Sequence, residues 1–343
     1  MTHEFFNYIK KAQAAKEKGL QSVLVSLVDL NGSSYRGPGV RMLITSDGKM
    51  EGAVSGGCVE KEILRQSISV FENATSKIMT YDGRFRLGCE GILTLLIEVF
   101  DPSQEIIDLL EESKAKRESF EIESTYRLQS GEREGLGSKL VLKNGEEHFF
   151  NSTNKLLSSE GTKIFTQSMP PCFRLILIGA NHDAVSLTKM AADLGWKVII
   201  VTHPSDQHNI EDFPGASNFL HTSAEDFDKE LIYHNTAVIL MTHSYAKDLS
   251  FLMLLSTTSA VYIGLLGSVQ RREKLFNELM ERDLLSDMEF IEKVHGPTGL
   301  NIGAETPQEI ALSICSEILA VTRDRNPESL RNREGKIHTF ISS

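Results

Sequence analysis

The sequence predicts an α/β chain in two parts: a C-terminal doubly wound parallel sheet and a smaller N-terminal α+β domain. Three observations carry this. Leu175-Ile176-Leu177-Ile178 is a short uninterrupted apolar run, as a strand buried on both faces should be, and it passes through Gly179-Ala180-Asn181-His182-Asp183-Ala184 into a helical pattern. Beyond it, apolar runs alternate with helix-like stretches, which argues a parallel sheet. The chain of 343 residues is long for one core, and a polar stretch ending in Pro170-Pro171 divides it. The expected organisation is an N-terminal domain over 1–150, a linker over 151–171, a Rossmann-like domain over 172–326 and a charged tail over 327–343.

In chain order, Phe5, Phe6, Ile9, Ala12 and Ala15 give an amphipathic helix from about Glu4 to Lys18, stopped at Gly19. Ser22 to Leu30 reads as a strand. Val40 to Thr45 and Lys49 to Val54 form a hairpin around Ser46-Asp47-Gly48. Ser55-Gly56-Gly57-Cys58-Val59-Glu60 opens a helix to about Glu72. A strand near Lys77 to Tyr81 leads into a second glycine loop, Arg86-Leu87-Gly88-Cys89-Glu90-Gly91. Strand Ile92 to Phe100 and helix Gln104 to Lys116 follow. Phe120 to Phe150 reads as short antiparallel strands, with Asn144-Gly145 as a tight turn. In the second part the strands are Arg174–Ile178, Lys197–Val201, Phe219–His221, Ala237–Met241 and Ala260–Gly264, with helices between them. Doubly wound order sets the first beside the fourth, at the switch point where ligands bind. The last helix runs to about Arg325; Thr306 is its N-cap, Pro307 its first residue and Glu309 the capping-box partner.

Composition narrows the function classes. The net charge is −11, from 36 basic and 47 acidic residues, which disfavours nucleic acid and anionic membrane as partners. No apolar stretch reaches the length of a membrane span, and the N-terminus lacks a signal-peptide pattern. The four cysteines include no C-x-x-C pair, so neither a disulfide framework nor a zinc knuckle is expected. Reduced thiols in a cytoplasm fit this usage.

Two glycine loops carry cysteines. At Ser55-Gly56-Gly57-Cys58 a strand turns into a helix, where bare amides favour an anion and lower a cysteine pKa. The competing reading is a tight turn with a buried cysteine used as a small apolar residue. Leu87-Gly88-Cys89-Glu90-Gly91 repeats the theme. Cys172 and Cys315 sit in apolar patterns and read as core. At the mouth of the sheet, Asn181-His182, Thr242-His243 and Gly264-Leu265-Leu266-Gly267-Ser268 gather with Arg271 and Arg272. His182, His203, His243 and His295 could bind zinc, act as acid and base, or be separate loop histidines; the last reading suits His203 best. Arg271 and Arg272 could fork a phosphate or be solvated, and Arg36 and Arg41 carry the same ambiguity. In the G-x-G-x-x-G fingerprint, Asn181 stands at the second glycine and Ala184 at the third. Thr202 closes the second strand where an NAD site wants an acidic residue. NAD(P) is therefore not the expected ligand.

Several segments together are specific: Arg36-Gly37-Pro38-Gly39, the run GAVSGGCVE from Gly52 to Glu60, LGCEG, GANHDA, and His295-Gly296-Pro297-Thr298-Gly299-Leu300-Asn301-Ile302-Gly303-Ala304-Glu305-Thr306-Pro307. By these the chain resembles the xanthine dehydrogenase accessory factors, the XdhC/CoxI family, from about Leu20 to Arg325. The resemblance implies a chaperone-like maturation factor that binds molybdenum cofactor (molybdopterin), supports its sulfuration and inserts it into the apo-enzyme. The partner implied is a molybdenum hydroxylase of the xanthine dehydrogenase type, with a cysteine desulfurase as a further candidate. Cys58, assisted by Cys89, is expected to meet the metal end, supported by Ser55, Gly56, Gly57 and Arg36. Gly179, Asn181, His182, His243, Gly267, Ser268 and Arg271 are expected to hold phosphate or pterin. A homodimer would let a shared cleft bring the cysteine loops to the sheet mouth. Where the family has a second fingerprint glycine, an acidic residue and Gly-Cys-Gly-Gly, this chain has Asn181, Thr202 and Gly88-Cys89-Glu90-Gly91. The alternative, suggested by the fold alone, is an NAD(P)-linked oxidoreductase.

Overall fold

The computed structural model describes residues 1–57, 59–85, 91–151, 161–282 and 288–332. The chain divides into two compact units, one built on Met1–Pro171 and the other on Cys172–Ser329.

The first unit opens with α1 (Thr2–Lys16), which buries Phe5, Phe6, Ile9, Ala12 and Ala15. Then come β1 (Ser22–Asn31), β2 (Arg41–Thr45), β3 (Met50–Gly52), α2 (Glu60–Asn73), β4 (Lys77–Asp82), β5 (Ile92–Val99) and α3 (Gln104–Lys116). After these come β6 (Phe120–Tyr126), β7 (Gly131–Glu132), β8 (Gly137–Val141), β9 (Glu147–Phe149) and β10 (Lys163–Met169). One sheet has the order β3-β2-β1-β5-β4-β7 and the other β10-β6-β8-β9. Both are antiparallel. Alternate residues of β1 and β5 (Val23, Val25 and Leu27; Leu93, Leu95 and Ile97) join Ile63 and Val70 of α2 in one core. A separate aromatic cluster joins Phe5 to Phe100, Phe120 and Phe150. Each such side chain, fully buried, contributes roughly 1.5–3 kcal/mol.

The expected linker needs correction. Its second half is β10, paired along its whole length with β6. Only Gln167 and Met169 of that strand are buried, so its apolar signal is weak.

The second unit contains β11 (Arg174–Ile178), α4 (His182–Asp193), β12 (Lys197–Thr202), β13 (Ala216–His221), β14 (Thr236–Leu240) and α5 (Tyr245–Leu255). It ends with β15 (Tyr262–Leu265), α6 (Val269–Glu281), α7 (Met288–Lys293), β16 (Val294–His295) and α8 (Pro307–Thr322). The sheet order β13-β12-β11-β14-β15-β16 is doubly wound, every pair parallel. Ile176 and Ile178 face one core with α5 and α6. Leu175 and Leu177 face another with α4 and α8. A strand covered on both sides is apolar on both faces, which is why β11 reads as an unbroken run from Leu175 to Ile178.

Two expectations fail here. Helices do not separate β12 from β13 or β13 from β14; short 3-10 turns at Ile210–Asp212 and Lys229–Leu231 stand there. The connection after β12 carries Pro204 and polar residues, with no apolar stripe to bury. The sheet also gains β16, two residues long, which periodicity cannot register. The capping box of α8 is present as expected, with Thr306 accepting from the Glu309 amide.

Candidate functional site

Two places gather the residues singled out in the sequence. The first is one end of the six-stranded antiparallel sheet. Antiparallel register brings the end of β1 and the start of β5 together, as Asn31 pairs with Ile92. The end of β3 lies beside the start of β2, as Gly52 pairs with Met42. The end of β4 meets the start of β5, as Asp82 pairs with Ile92. The segments 32–40, 53–59 and 83–91 therefore leave the sheet at the same end. Cys58 and Cys89 belong to two of them, and both positions lie outside the described residues.

The flanks of the first cysteine loop are well defined. The Ser55 amide donates to Glu60 Oε1 (2.7 Å) and the Ser55 hydroxyl to Oε2 (2.8 Å). The amides of Gly57 and Val59 donate to Ser55 Oγ at 3.3 and 3.4 Å. Burial opposes ionisation of Glu60, but these bonds from the loop prevail and hold its carboxyl below the usual value. Glu60, which the sequence reading did not single out, thus sets the shape of the turn, and the amide and hydroxyl of Ser55 serve that turn. Gly56 and Gly57 are exposed, and nothing lies within 4 Å of where a Cβ would stand at either. Gly57 has φ +110, which disfavours a side chain. Bare backbone facing open space is a surface a ligand can approach closely.

Arg36 braces this loop from the next segment: its Nη1 donates to the Ala53 carbonyl at 2.5 Å. On the other flank, a Cβ on Gly91 would come 2.5 Å from the Ser33 carbonyl, so only glycine fits there. Between the two anchors Tyr35 stands 74% exposed. It was missed because an aromatic in a loop reads as nothing in particular until its neighbours are known. Arg41, the other arginine of this region, is buried, and burial lowers its pKa to about 10. Its Nη1 bonds to the Gly39 carbonyl and to Gln167.

The second place is the switch point of the parallel sheet, where β11 and β14 lie side by side. Asn181 is the N-cap of α4, with its Oδ1 accepting from the Ala184 amide at 3.0 Å. Its Nδ2 reaches His243 Nε2 at 2.7 Å and the Met241 carbonyl at 3.3 Å. One side chain thus caps the helix and ties the loop after β11 to the loop after β14. His243 adopts a left-handed backbone (φ 55) and is exposed, as is His182, the first residue of α4.

Gly267, Ser268 and Arg271 form a second constellation, at the start of α6. Ser268 is the N-cap, accepting from the Arg271 amide at 3.3 Å. Arg271 pairs with Asp248 at 2.7 Å, and that carboxylate is buried and also accepts from Thr242 Oγ1 at 2.6 Å. A Cβ on Gly267 would come 2.8 Å from Arg271 Cδ, so glycine there gives the arginine its path. Arg272 donates instead to the Gly296 carbonyl at 2.8 Å. The two guanidinium groups go to different partners and do not form one fork.

The histidines do not converge. Among the described residues no group of three or more His, Cys, Asp or Glu is placed to hold a metal ion. His203 bonds locally, accepting from the Ser205 amide at 3.2 Å. His295 stacks on Tyr262 with ring centres 4.3 Å apart. Glu317 lies 3.7 Å from His295 Nδ1 and accepts from the Gly299 amide at 2.7 Å and from the Tyr262 hydroxyl. Burial and the Glu317 charge push the Tyr262 phenol far up. Burial works against the Glu317 carboxylate as well, but bonds from His295, Tyr262 and Gly299 outweigh it and lower its pKa. Glu317 and Tyr262 were not visible as site-forming residues, being 55 positions apart. Of the two cysteines read as core, Cys315 is buried and its thiol is pushed up to about 12; Cys172 is only half-buried.

A cavity of about 280 Å³ opens beside the switch point, at the C-terminal ends of β11, β12, β13 and β14. Its lining includes Gly179, residues following β12 and β13, and Thr242 with the start of α5, but neither Arg271 nor Gly267.

Comparison with known proteins agrees with this two-part description. Residues 175–318 match the family model described as the XdhC Rossmann domain, and residues 15–82 match the XdhC and CoxI family. The chain is 30% identical to a Bacillus subtilis protein described as a probable xanthine dehydrogenase subunit, covering 93% of this chain and 98% of that one. It is 24% identical to the molybdenum cofactor insertion chaperone PaoD of Escherichia coli, covering 96% and 92%. A crystal structure from Bacillus halodurans, described as a xanthine dehydrogenase, shares the fold with a TM-score of 0.74 at 24% identity, over 93% of this chain and 96% of that one. With a two-domain match and near full-length similarity, the chain belongs to the XdhC and CoxI family.

Proposed function

We propose that this chain is a maturation factor for a molybdenum hydroxylase of the xanthine dehydrogenase type. It takes molybdenum cofactor as cargo, supports exchange of an oxo ligand for sulfur, and passes the cofactor to the apo-enzyme. The observation that carries the reading is the end of the antiparallel sheet in the first unit. There the bare, outward-facing Gly56 and Gly57 are held by Glu60 and Arg36, on the segment that continues through Cys58. Similarity to PaoD, a molybdenum cofactor insertion chaperone, supports it. A pterin phosphate is an anion to which backbone N–H groups can donate, and a thiolate is a soft ligand suited to a thiophilic metal. In this reading Cys58 meets the metal end and Cys89 assists. Tyr35 offers a face on which a planar ring can stack. A cysteine desulfurase as sulfur donor and a homodimeric assembly belong to the same proposal.

The test is anaerobic binding and delivery of molybdenum cofactor. Wild type should bind it and activate the apo-hydroxylase. Cys58→Ala should bind but lose delivery of the sulfurated form. A Cys58→Ala protein that delivers as well as wild type would remove the cysteine from the mechanism.

The NAD(P)-linked oxidoreductase reading is favoured by the strand order of the second unit. Against it stands Asn181, whose side chain occupies the Ala184 amide at the end of α4 where a pyrophosphate would sit. Nicotinamide turnover by the purified chain would reinstate it.

A further inference from the structure

The fingerprint-like turn after β11 keeps its first glycine for a reason unrelated to phosphate. Gly179 has φ +125, and a Cβ there would come 2.5 Å from the Met241 carbonyl. Glycine is needed so that the turn can pass the end of β14. The second fingerprint position, which in a dinucleotide site lets pyrophosphate reach the backbone, is filled by Asn181. Its bonds to the Ala184 amide and His243 Nε2 span the crevice between the two loops.

We propose that the second unit binds a nucleoside monophosphate in the cavity beside β12, and that the Asn181–His243 bridge closes it to the second half of a dinucleotide. The floor of the cavity is apolar, from Ile178, Val201, Ala224 and Phe251, which suits the face of a base. Thr202, Thr222, Ser223 and Ser250 line it as well, residues of the hydroxyl-bearing kind that suits a ribose. Thr202 ends β12 where an acidic residue would hold ribose hydroxyls; Asp206, from the loop after β12, and Glu225, exposed at the rim from the loop after β13, supply carboxylates instead. Lys247 and His203, both exposed on the rim, provide the positive charge for a phosphate. The volume decides between ligand sizes. At about 280 Å³ the cavity is at the small end of ligand sites, which run roughly 300–1,000 Å³. A cavity of this size suits one base and one sugar, and a dinucleotide would have to run on across the bridged crevice.

The test is calorimetric titration of the full chain with AMP, CMP, GMP, UMP and NAD in turn. At least one monophosphate should bind with a Kd of about 1–100 μM, and NAD no more tightly than AMP. Lys247→Glu and His203→Ala, both at exposed positions, should each weaken that binding at least about tenfold with an unchanged thermal midpoint. Asn181→Gly should leave monophosphate binding within about twofold and strengthen NAD binding. Failure of all four monophosphates near 1 mM would overturn the proposal, as would NAD binding about tenfold more tightly than AMP in the wild type. So would binding indifferent to both rim substitutions. Because Cys58 and Gly56 are in the other unit, Cys58→Ala should not change these titrations. The nucleotide site and the cofactor-handling role can therefore fail separately.

Discussion

At the scale of single residues, the most informative positions are those where one side chain excludes alternatives. Asn181 looks in the sequence like a defect in a nucleotide fingerprint; in the structure it is a helix cap and a loop tie. The pattern identified the turn but could not supply the reason for asparagine, because its partner His243 is 62 residues away. Two glycines of similar sequence context should behave oppositely. Gly179→Ala places a side chain at φ +125 against the Met241 carbonyl and should destabilise by roughly 2 kcal/mol or more in urea unfolding. Gly56→Ala meets open space at ordinary φ and should change stability by less than about 1 kcal/mol. In the cofactor-handling reading it should still weaken molybdenum cofactor binding, since the added methyl occupies the ligand's approach. Equal cofactor binding by Gly56→Ala and wild type would show that this backbone is not the cradle. Tyr35→Ala should likewise weaken cofactor binding several-fold, about 1 kcal/mol for a lost stacking face, while Tyr35→Phe retains it.

At the scale of elements, β5 and β8 are joined across the two sheets of the first unit by Glu98. Its carboxylate accepts from the Ser138 amide at 2.7 Å and the Ser138 hydroxyl at 2.6 Å. Burial raises its pKa from 4.5 to about 7 against the effect of those bonds. The unfolded chain therefore releases this proton at lower pH than the folded one. Between about pH 4.5 and 7 the unfolded state binds fewer protons, so the contribution of Glu98 to stability falls as pH rises through that window. Its full span is on the order of 3 kcal/mol. Glu98→Gln should flatten this part of the pH–stability profile, measured by urea midpoints at several pH values. A variant whose profile still falls as steeply as wild type would assign the slope to other groups. Elements with strong periodicity or caps were legible: the hairpin β2–β3, α3, and α8 with its capping box. The elements missed were those with little to bury. Strand β10 presents mostly polar residues and β16 is too short for any period. The edge strand β13 is half-exposed, and the connections beside it have no stripe that would make them helical. Tyr262 and Glu317 were illegible for another reason: each works through a partner that only the fold brings near.

At the scale of the molecule, the two units have separate hydrophobic cores. A fragment spanning Cys172–Ser329 should fold alone with a cooperative thermal transition, and in the nucleotide proposal it should bind the same monophosphate as the full chain. A fragment that remains unfolded would show that its two cores do not suffice. No helix among the described residues is long and apolar enough to cross a membrane. The order of strands in the parallel sheet also bears on how the chain is made. Strand β11 is interior to the sheet, and its partner on one side, β12, is the next strand; its partner on the other, β14, begins 34 residues after β12 ends, from Thr202 to Thr236. A ribosome adding ~5–20 residues per second leaves that interval at several seconds. During it, this largely apolar strand can pair on one side only, with its other backbone edge open to any extended chain nearby. Translation speed over Thr202 to Leu240, rather than the stability of the finished sheet, would then govern how much of this protein reaches its native form in a crowded cell.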